Sequence, residues 1–164
     1  MIQYVQGDAT NPQGDGDKFI VHVCNDVGVW GAGFVLAISE RWKRPELAYL
    51  KAFAASTNGK MALGSTQLVQ VESHIWVVNM IAQRGLRPSK AGPPIRYDAL
   101  TTCLGYVAQS AKQMNASVHM PRIGCGLAGG KWEKIEPIIT KTLIEASVPV
   151  TVYDLEVESK PTLR

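Results

Sequence analysis

The sequence predicts an α/β protein in which a central sheet is covered by helices on both faces. Three observations carry this. Apolar runs of strand length alternate along the chain with stretches of helical periodicity, the order that builds a layered sheet. The 164 residues amount to one domain, with no internal repeat and no linker long enough to divide them. Apolar residues make up 46% and charged residues 19%, a balance that supplies a core and excludes a disordered or acidic-tail protein.

The elements follow in order. Ile2 to Gln6 alternates and stops at Gly7-Asp8, which predicts a strand. Phe19 to Cys24 is β-branched and apolar, which predicts a buried central strand ending at Asn25-Asp26. Helical periodicity runs from about Phe34 to Phe53, and Pro45 splits it into two helices. Gln67 to Val71 and His74 to Ala82 read as antiparallel strands joined tightly through Glu72-Ser73. Residues 98–114 form the clearest helix, with Leu100, Cys103, Leu104, Val107, Ala108 and Ala111 on one face. Asp98 suits its first turn and Asn115 its end. Val118 to Met120 is a short strand. Pro137 is expected in the first turn of a helix that continues through Leu143 and Ile144. Val150 to Leu155 is the last strand, and residues 156–164 are expected to be a loose tail.

Charge and cysteine content exclude several classes. The net charge of +3 is too weak to argue for nucleic-acid binding, and no nucleic-acid partner is expected. Three cysteines without a CxxC spacing argue against a disulfide framework or zinc ribbon, and reduced thiols fit a cytoplasmic protein. The first residues show no basic region followed by an apolar run, so no signal peptide is expected. The longest apolar run, Ile75 to Ala82, is too short to span a membrane. No metal cluster is apparent, and neither a metal nor a cofactor is expected.

Four loops at strand ends could carry chemistry, because sheets of this kind bind ligands beyond the carboxyl ends of their strands. Residues 25–34 and 122–130 each leave a strand and enter a helix, and together they hold seven of the 15 glycines. Neither matches a P-loop or a complete GxGxxG. The first reads either as a tight turn or as a close backbone approach to an anion. Four glycines in the second exceed what one turn needs, and a backbone nest that cups phosphate explains them better. Two such loops suggest a ligand with two phosphates or a long anionic backbone. Asp8, after the first strand, caps a turn or accepts a hydrogen bond from a base's amine. Residues 83–97 contain Arg84, Arg87, Lys90 and Arg96 and no acid, either a solvated basic loop or a lid on the substrate side.

Gly7-Asp8-Ala9-Thr10, His22-Val23-Cys24-Asn25, Trp30-Gly31-Ala32-Gly33, Met120 to Leu127 (MPRIGCGL) and Thr151-Val152-Tyr153-Asp154-Leu155 resemble, in order, the macrodomain family. The similarity is greatest to the class of the terminal ADP-ribose protein glycohydrolase. The ADP-ribose-1″-phosphate phosphatase and the antitoxin domain that removes ADP-ribose from DNA belong nearby. The resemblance spans Met1 to Leu155, so residues 1–155 are expected to form the domain. It implies a three-layer α/β/α sandwich with a mixed six-stranded sheet and an ADP-ribose cleft at the strand ends. By position, Asp8 would hold the adenine amine, the Ala9 backbone would face the ring and Leu155 would pack against it. Gly124, Cys125, Gly126 and Leu127 would offer N–H groups to the diphosphate, with Gly31, Ala32 and Gly33 opposite. Asn25 and the Gly33-Phe34 turn would lie near the distal ribose. The implied partners are ADP-ribose and mono-ADP-ribosylated protein, and a monomer is expected.

The chain also departs from that class. The glycohydrolase uses a lysine two residues past the position of Ile81 and an aspartate just after its Gly-Cys-Gly-Leu run. Here Gln83 and Ala128 stand there. Gln forms no Schiff base and Ala moves no proton, so a lysyl adduct is not expected. Three candidates remain for catalysis. His22 aligns with the histidine proposed to act in the phosphatase, or is a core-strand histidine satisfied by hydrogen bonds. Asp26 could orient a water, or is a turn aspartate. Gln83 could position a water or contact the scissile ester without proton transfer, or is an inert polar strand end. Cys24 and Cys125 show no basic partner in sequence and read as small packing residues. An ester on the distal ribose is labile, and its hydrolysis asks only for binding, an oriented water and oxyanion stabilisation. The expected activity is therefore hydrolysis of ADP-ribosyl esters of glutamate or aspartate, with O-acetyl-ADP-ribose as a further ester. A non-catalytic ADP-ribose reader and a 1″-phosphatase are the alternatives.

Overall fold

The structure is a computed structural model and describes residues 1–155; the expected tail at 156–164 lies outside the described residues. Six strands form one sheet: β1 (Gln3–Gln6), β2 (Lys18–Asn25), β3 (Thr66–Glu72), β4 (Ile75–Gln83), β5 (Ser117–Met120) and β6 (Val150–Asp154). Their order across the sheet is β1-β6-β5-β2-β4-β3. The β3–β4 pair is antiparallel, as its tight Glu72-Ser73 connection requires, and the other pairs are parallel. The helices are α1 (Phe34–Arg41), α2 (Arg44–Ala54), α3 (Tyr97–Met114) and α4 (Trp132–Ile139). The fold is the mixed three-layer sandwich the sequence predicts.

Period-two alternation on β2 and β4 separates two cores. Phe19, Val21, Val78, Met80 and Ala82 face the layer of α3 and α4. Ile20, Cys24, Val77 and Ile81 face the layer of α1 and α2, with Ile38 and Tyr49 closing over them. All six α3 positions predicted to face inward are buried. Asn115 ends α3 in the left-handed conformation at φ 52°.

Pro45 occupies the first turn of α2, where a missing N–H leaves no helical bond unmade. Pro137 does not match its expectation. It lies inside α4, which starts five residues earlier at Trp132. The amphipathic pair Ile135 and Ile139, both fully buried, carries the helix through the proline. The helix then widens into a π-turn over Thr140–Ile144. The last strand closes at Asp154 and leaves Leu155 76% exposed.

Candidate functional site

A cleft of ≈ 520 Å³ opens at the carboxyl ends of β2, β4 and β5. One wall is the segment from Val29 to Val35; the other runs from Pro121 to Ala128. His22, Asn25, Gln83 and Leu86 lie at its base and end.

The first wall is held open by Asn25 at the end of β2 and by Tyr49 of α2. Asn25 Oδ1 accepts from the N–H groups of Val27 (3.1 Å) and Val29 (3.2 Å), and its Nδ2 donates to Val29 O at 2.6 Å. The hydroxyl of buried Tyr49 accepts from Gly28 N–H at 3.0 Å and lies 2.8 Å from Asn25 Oδ1. Gly28 has φ +80°, and a Cβ there would meet the Phe53 ring at 2.4 Å, so the turn admits only glycine. Beyond Val29, the N–H groups of Trp30, Gly31, Ala32, Gly33 and Phe34 have no protein acceptor among the described residues. They lead into α1, which has no side-chain cap and no acid in its first turn. A run of free donors at a positive helix end is an anion cradle.

The second wall matches it. The N–H groups of Gly124, Gly126, Leu127 and Ala128 have no protein acceptor among the described residues, while Cys125 N–H turns back to Arg122 O at 3.4 Å. Gly124 (φ +74°) and the hydrogen bond from Gly130 N–H to Gly124 O (2.7 Å) fold the segment into a nest. Of the four expected donors, three point to no protein partner, and Ala128 joins them.

Arg122 was not expected in the site. It lines the cleft, and its guanidinium grips Asp154 through two bonds of 2.7 and 3.0 Å. That contact holds the Asp154 carboxyl below its usual range. The same group lies 5.2 Å from the ring centres of both Tyr4 and Trp132. It thus ties the second wall to β1, β6 and α4. No local signal marks the pair: Arg122 follows β5 and Asp154 ends β6, and only the strand order makes them neighbours.

The three candidate catalytic residues separate. Gln83 lines the cleft; its Nε2 donates to Gly85 O at 2.9 Å, and its Oε1 has no protein partner among the described residues. His22 also lines the cleft but is 2% exposed, and its Nε2 donates to Asn79 Oδ1 at 2.6 Å. Burial lowers its pKa from 6.5 to about 4, so the ring is neutral near pH 7. Asp26 lies outside the cleft lining, 1% exposed, and its Oδ1 accepts from Gly85 N–H at 2.8 Å. It anchors the turn after β4. The thiols are weak acids: burial raises the Cys24 pKa, and the Cys125 thiol is raised as well.

Asp8, Ala9 and Leu155 lie outside the cavity, on a shelf at the ends of β1 and β6 that Gly7 N–H joins to Asp154 O at 2.8 Å. Asp8 Oδ1 accepts from Thr10 N–H and hydroxyl (2.8 and 2.7 Å), and Oδ2 lies 3.9 Å from Arg41. Cys125 is also outside the lining. Among the described residues, no group of three His, Cys, Asp or Glu could hold a metal, and no helix is long and apolar enough to cross a membrane.

This architecture has solved counterparts. A macrodomain protein from Streptomyces coelicolor is 51% identical and superposes with a TM-score of 0.80, over 94% of this chain and 99% of that one. The chain belongs to the macrodomain family. The macrodomain of Mycobacterium tuberculosis DarG is more distant, at 25% identity and a TM-score of 0.72 over 93% of this chain and 97% of that one. Among curated proteins, this macrodomain is 33% identical to the zebrafish (Danio rerio) chromodomain-helicase-DNA-binding protein 1-like over 93% of its length. It spans only 15% of that protein and 17% of the mouse one. An ADP-ribose 1″-phosphate phosphatase from Lodderomyces elongisporus is 23% identical over 85% of the chain and 91% of its own length. No family model matches the chain.

Proposed function

We propose that this macrodomain binds ADP-ribose in the cleft and hydrolyses its esters with glutamate or aspartate side chains, with O-acetyl-ADP-ribose a further substrate. The observation that carries the reading is the pair of facing walls, whose free N–H groups suit a diphosphate held between them. Asp8, Ala9 and Leu155 would take the adenine on the adjoining shelf. The distal ribose would then lie toward Asn25, Phe34 and Gln83. The phosphatase name of the Lodderomyces relative supports ADP-ribose chemistry of this kind.

Among the described residues, the cleft lining contains no aspartate, glutamate or lysine. The chemistry must therefore run without a charged general base or a lysyl adduct. A water hydrogen-bonded to Gln83 Oε1 attacks the ester carbonyl, the acyl–oxygen bond breaks, and the ribose hydroxyl leaves with the proton. His22, bonded to Asn79 and shielded, positions the strand end. Asn25, with its amide engaged by the loop, shapes the wall.

The same lack of a carboxylate or lysine in the lining favours a second reading, a reader that binds ADP-ribose and releases it unchanged. A protein ADP-ribosylated on glutamate distinguishes them. On the first reading the wild type releases ADP-ribose, and Gln83→Ala lowers kcat about tenfold or more while the Kd for ADP-ribose stays within about twofold. Binding by the wild type without release would leave the reader, and release that depends on His22 with a 1″-phosphate substrate would indicate the phosphatase.

A further inference from the structure

We infer that the basic segment after β4, with a second cavity behind it, docks an acidic polypeptide segment, the one that carries the ADP-ribosyl ester. The inference rests on the ester reading above. The segment is an ordered hairpin: Gln83 pairs with Ile95, Arg84 N–H bonds to Pro94 O at 2.9 Å, and Ser89 and Gly92 exchange two bonds of 2.9 Å. Its first arm, through Gln83 and Leu86, lines the cleft. Its second arm, from Ala91 to Arg96, lines a separate cavity of ≈ 460 Å³ closed by Tyr97, Gly129, Lys131 and Lys134. One wall divides the two spaces, sealed by the bond from Ile95 N–H to Ala128 O at 3.0 Å. A chain joined to the distal ribose beside Gln83 therefore leaves the cleft over this hairpin.

Six cations lie along that path: Arg84, Arg87, Lys90, Arg96, Lys131 and Lys134. None is in an ion pair among the described residues. Arg96 and Lys131 are also the N-cap residues of α3 and α4, and neither helix has a side-chain cap. A cation at the positive end of a helix is unfavourable, and an anion lodged between the two ends relieves it. The nearby acids are Asp26, buried beneath the hairpin and bonded to Gly85 N–H at 2.8 Å, and Asp98 and Glu133 in the first turns of the same helices, with Asp98 engaged by Ala99 N–H at 2.8 Å.

The occupant is a polypeptide because, among the described residues lining the cavity, the one ring is already engaged and offers no free face to a base. Tyr97, the aromatic in the cavity wall, has Lys134 Nζ 5.7 Å from its ring centre, and its hydroxyl accepts from Lys131 N–H at 3.2 Å. Between the cations the hairpin offers Leu86, Pro88, Ala91 and Pro93, a surface that suits peptide backbone and short carboxylates.

The test uses two peptides with the same ADP-ribosylated glutamate, one flanked by Asp and Glu, the other by Ser and Gly. The intact protein should show a kcat/KM about tenfold higher on the acidic peptide at low salt, falling as salt rises. Lys131→Glu/Lys134→Glu and Arg87→Glu/Lys90→Glu should abolish that preference. Both should keep the Kd for free ADP-ribose within about twofold, whereas Lys51→Glu on α2 should change neither. An absent preference in the wild type, or one that survives both double reversals, overturns the inference. So does a loss confined to an ADP-ribosylated oligonucleotide. If neither peptide is hydrolysed, the ester reading fails by itself. The docking surface is then read from the Kd of the intact peptides by fluorescence anisotropy, with the same expected and contrary outcomes.

Discussion

Gly126 and Gly28 are both loop glycines in the walls of one cleft, yet substitution has different consequences at each. A Cβ on Gly126 meets nothing within 4 Å, and the backbone there is not left-handed. A side chain there meets open space and the residue lines the cleft, so the fold does not require glycine; the free N–H groups around it give the reason. Gly126→Glu should therefore fold and keep its melting temperature within a few degrees. It should also lose about tenfold or more in ADP-ribose affinity by calorimetry, because a carboxylate then faces the phosphates at close range. Undiminished affinity in the folded variant would contradict the placement of the diphosphate. At Gly28 the Phe53 ring and the positive φ mean that even alanine strains the turn. The sequence shows both glycines in equivalent settings, and only the three-dimensional neighbours separate a structural glycine from one that faces a ligand.

At the scale of the element, the loop from Asn25 to Phe34 is shaped from outside itself. Tyr49 projects from α2 with its ring fully buried and its hydroxyl against Asn25 and Gly28. The Asn25 amide then fixes Val27 and Val29. The N–H groups that follow are left free because the loop cannot turn back to reach an acceptor. Tyr49→Phe keeps the packing and removes one donor and one acceptor from a buried network. It should lower stability by about 1–2 kcal/mol in denaturant unfolding. It should also weaken ADP-ribose binding severalfold, since the first wall is no longer held open. A variant that loses stability but binds as the wild type does would separate the loop's support from its function. The strands and the two glycine-rich loops were legible because alternation and glycine spacing are local. Tyr49 was not, since a helical tyrosine at an inward position reads as ordinary core until its hydroxyl has a partner. The start of α4 was hidden for a similar reason: Pro137 is the strongest local signal, and the buried faces of Ile135 and Ile139 override it.

For the whole molecule, what the sequence could not show is how distant segments meet across the sheet. Arg122, Asp154, Tyr4 and Trp132 come from four segments and converge because β1, β6 and β5 are neighbours. His22 and His119 are likewise single letters in apolar strands, and both prove buried and bonded, to Asn79 and to Ser117 and Tyr153 respectively. Burial lowers each from 6.5 to about 4. The unfolded chain therefore binds more protons than the folded one between these values, and stability falls as pH falls. Above pH 6.5 nothing is lost; from there to about pH 4 each histidine removes up to roughly 3 kcal/mol, and below that the loss levels off. Asp154, held below its usual 3.8 by Arg122, adds its own loss only at lower pH still. Denaturant unfolding at successive pH values should show the slope in the histidine window. The His22→Gln/His119→Gln double variant, less stable at pH 8, should have a flatter profile through it. An equal slope in both proteins would mean that the two rings do not stay neutral in the folded state, and the fixed, uncharged base of the cleft would have to be abandoned with them.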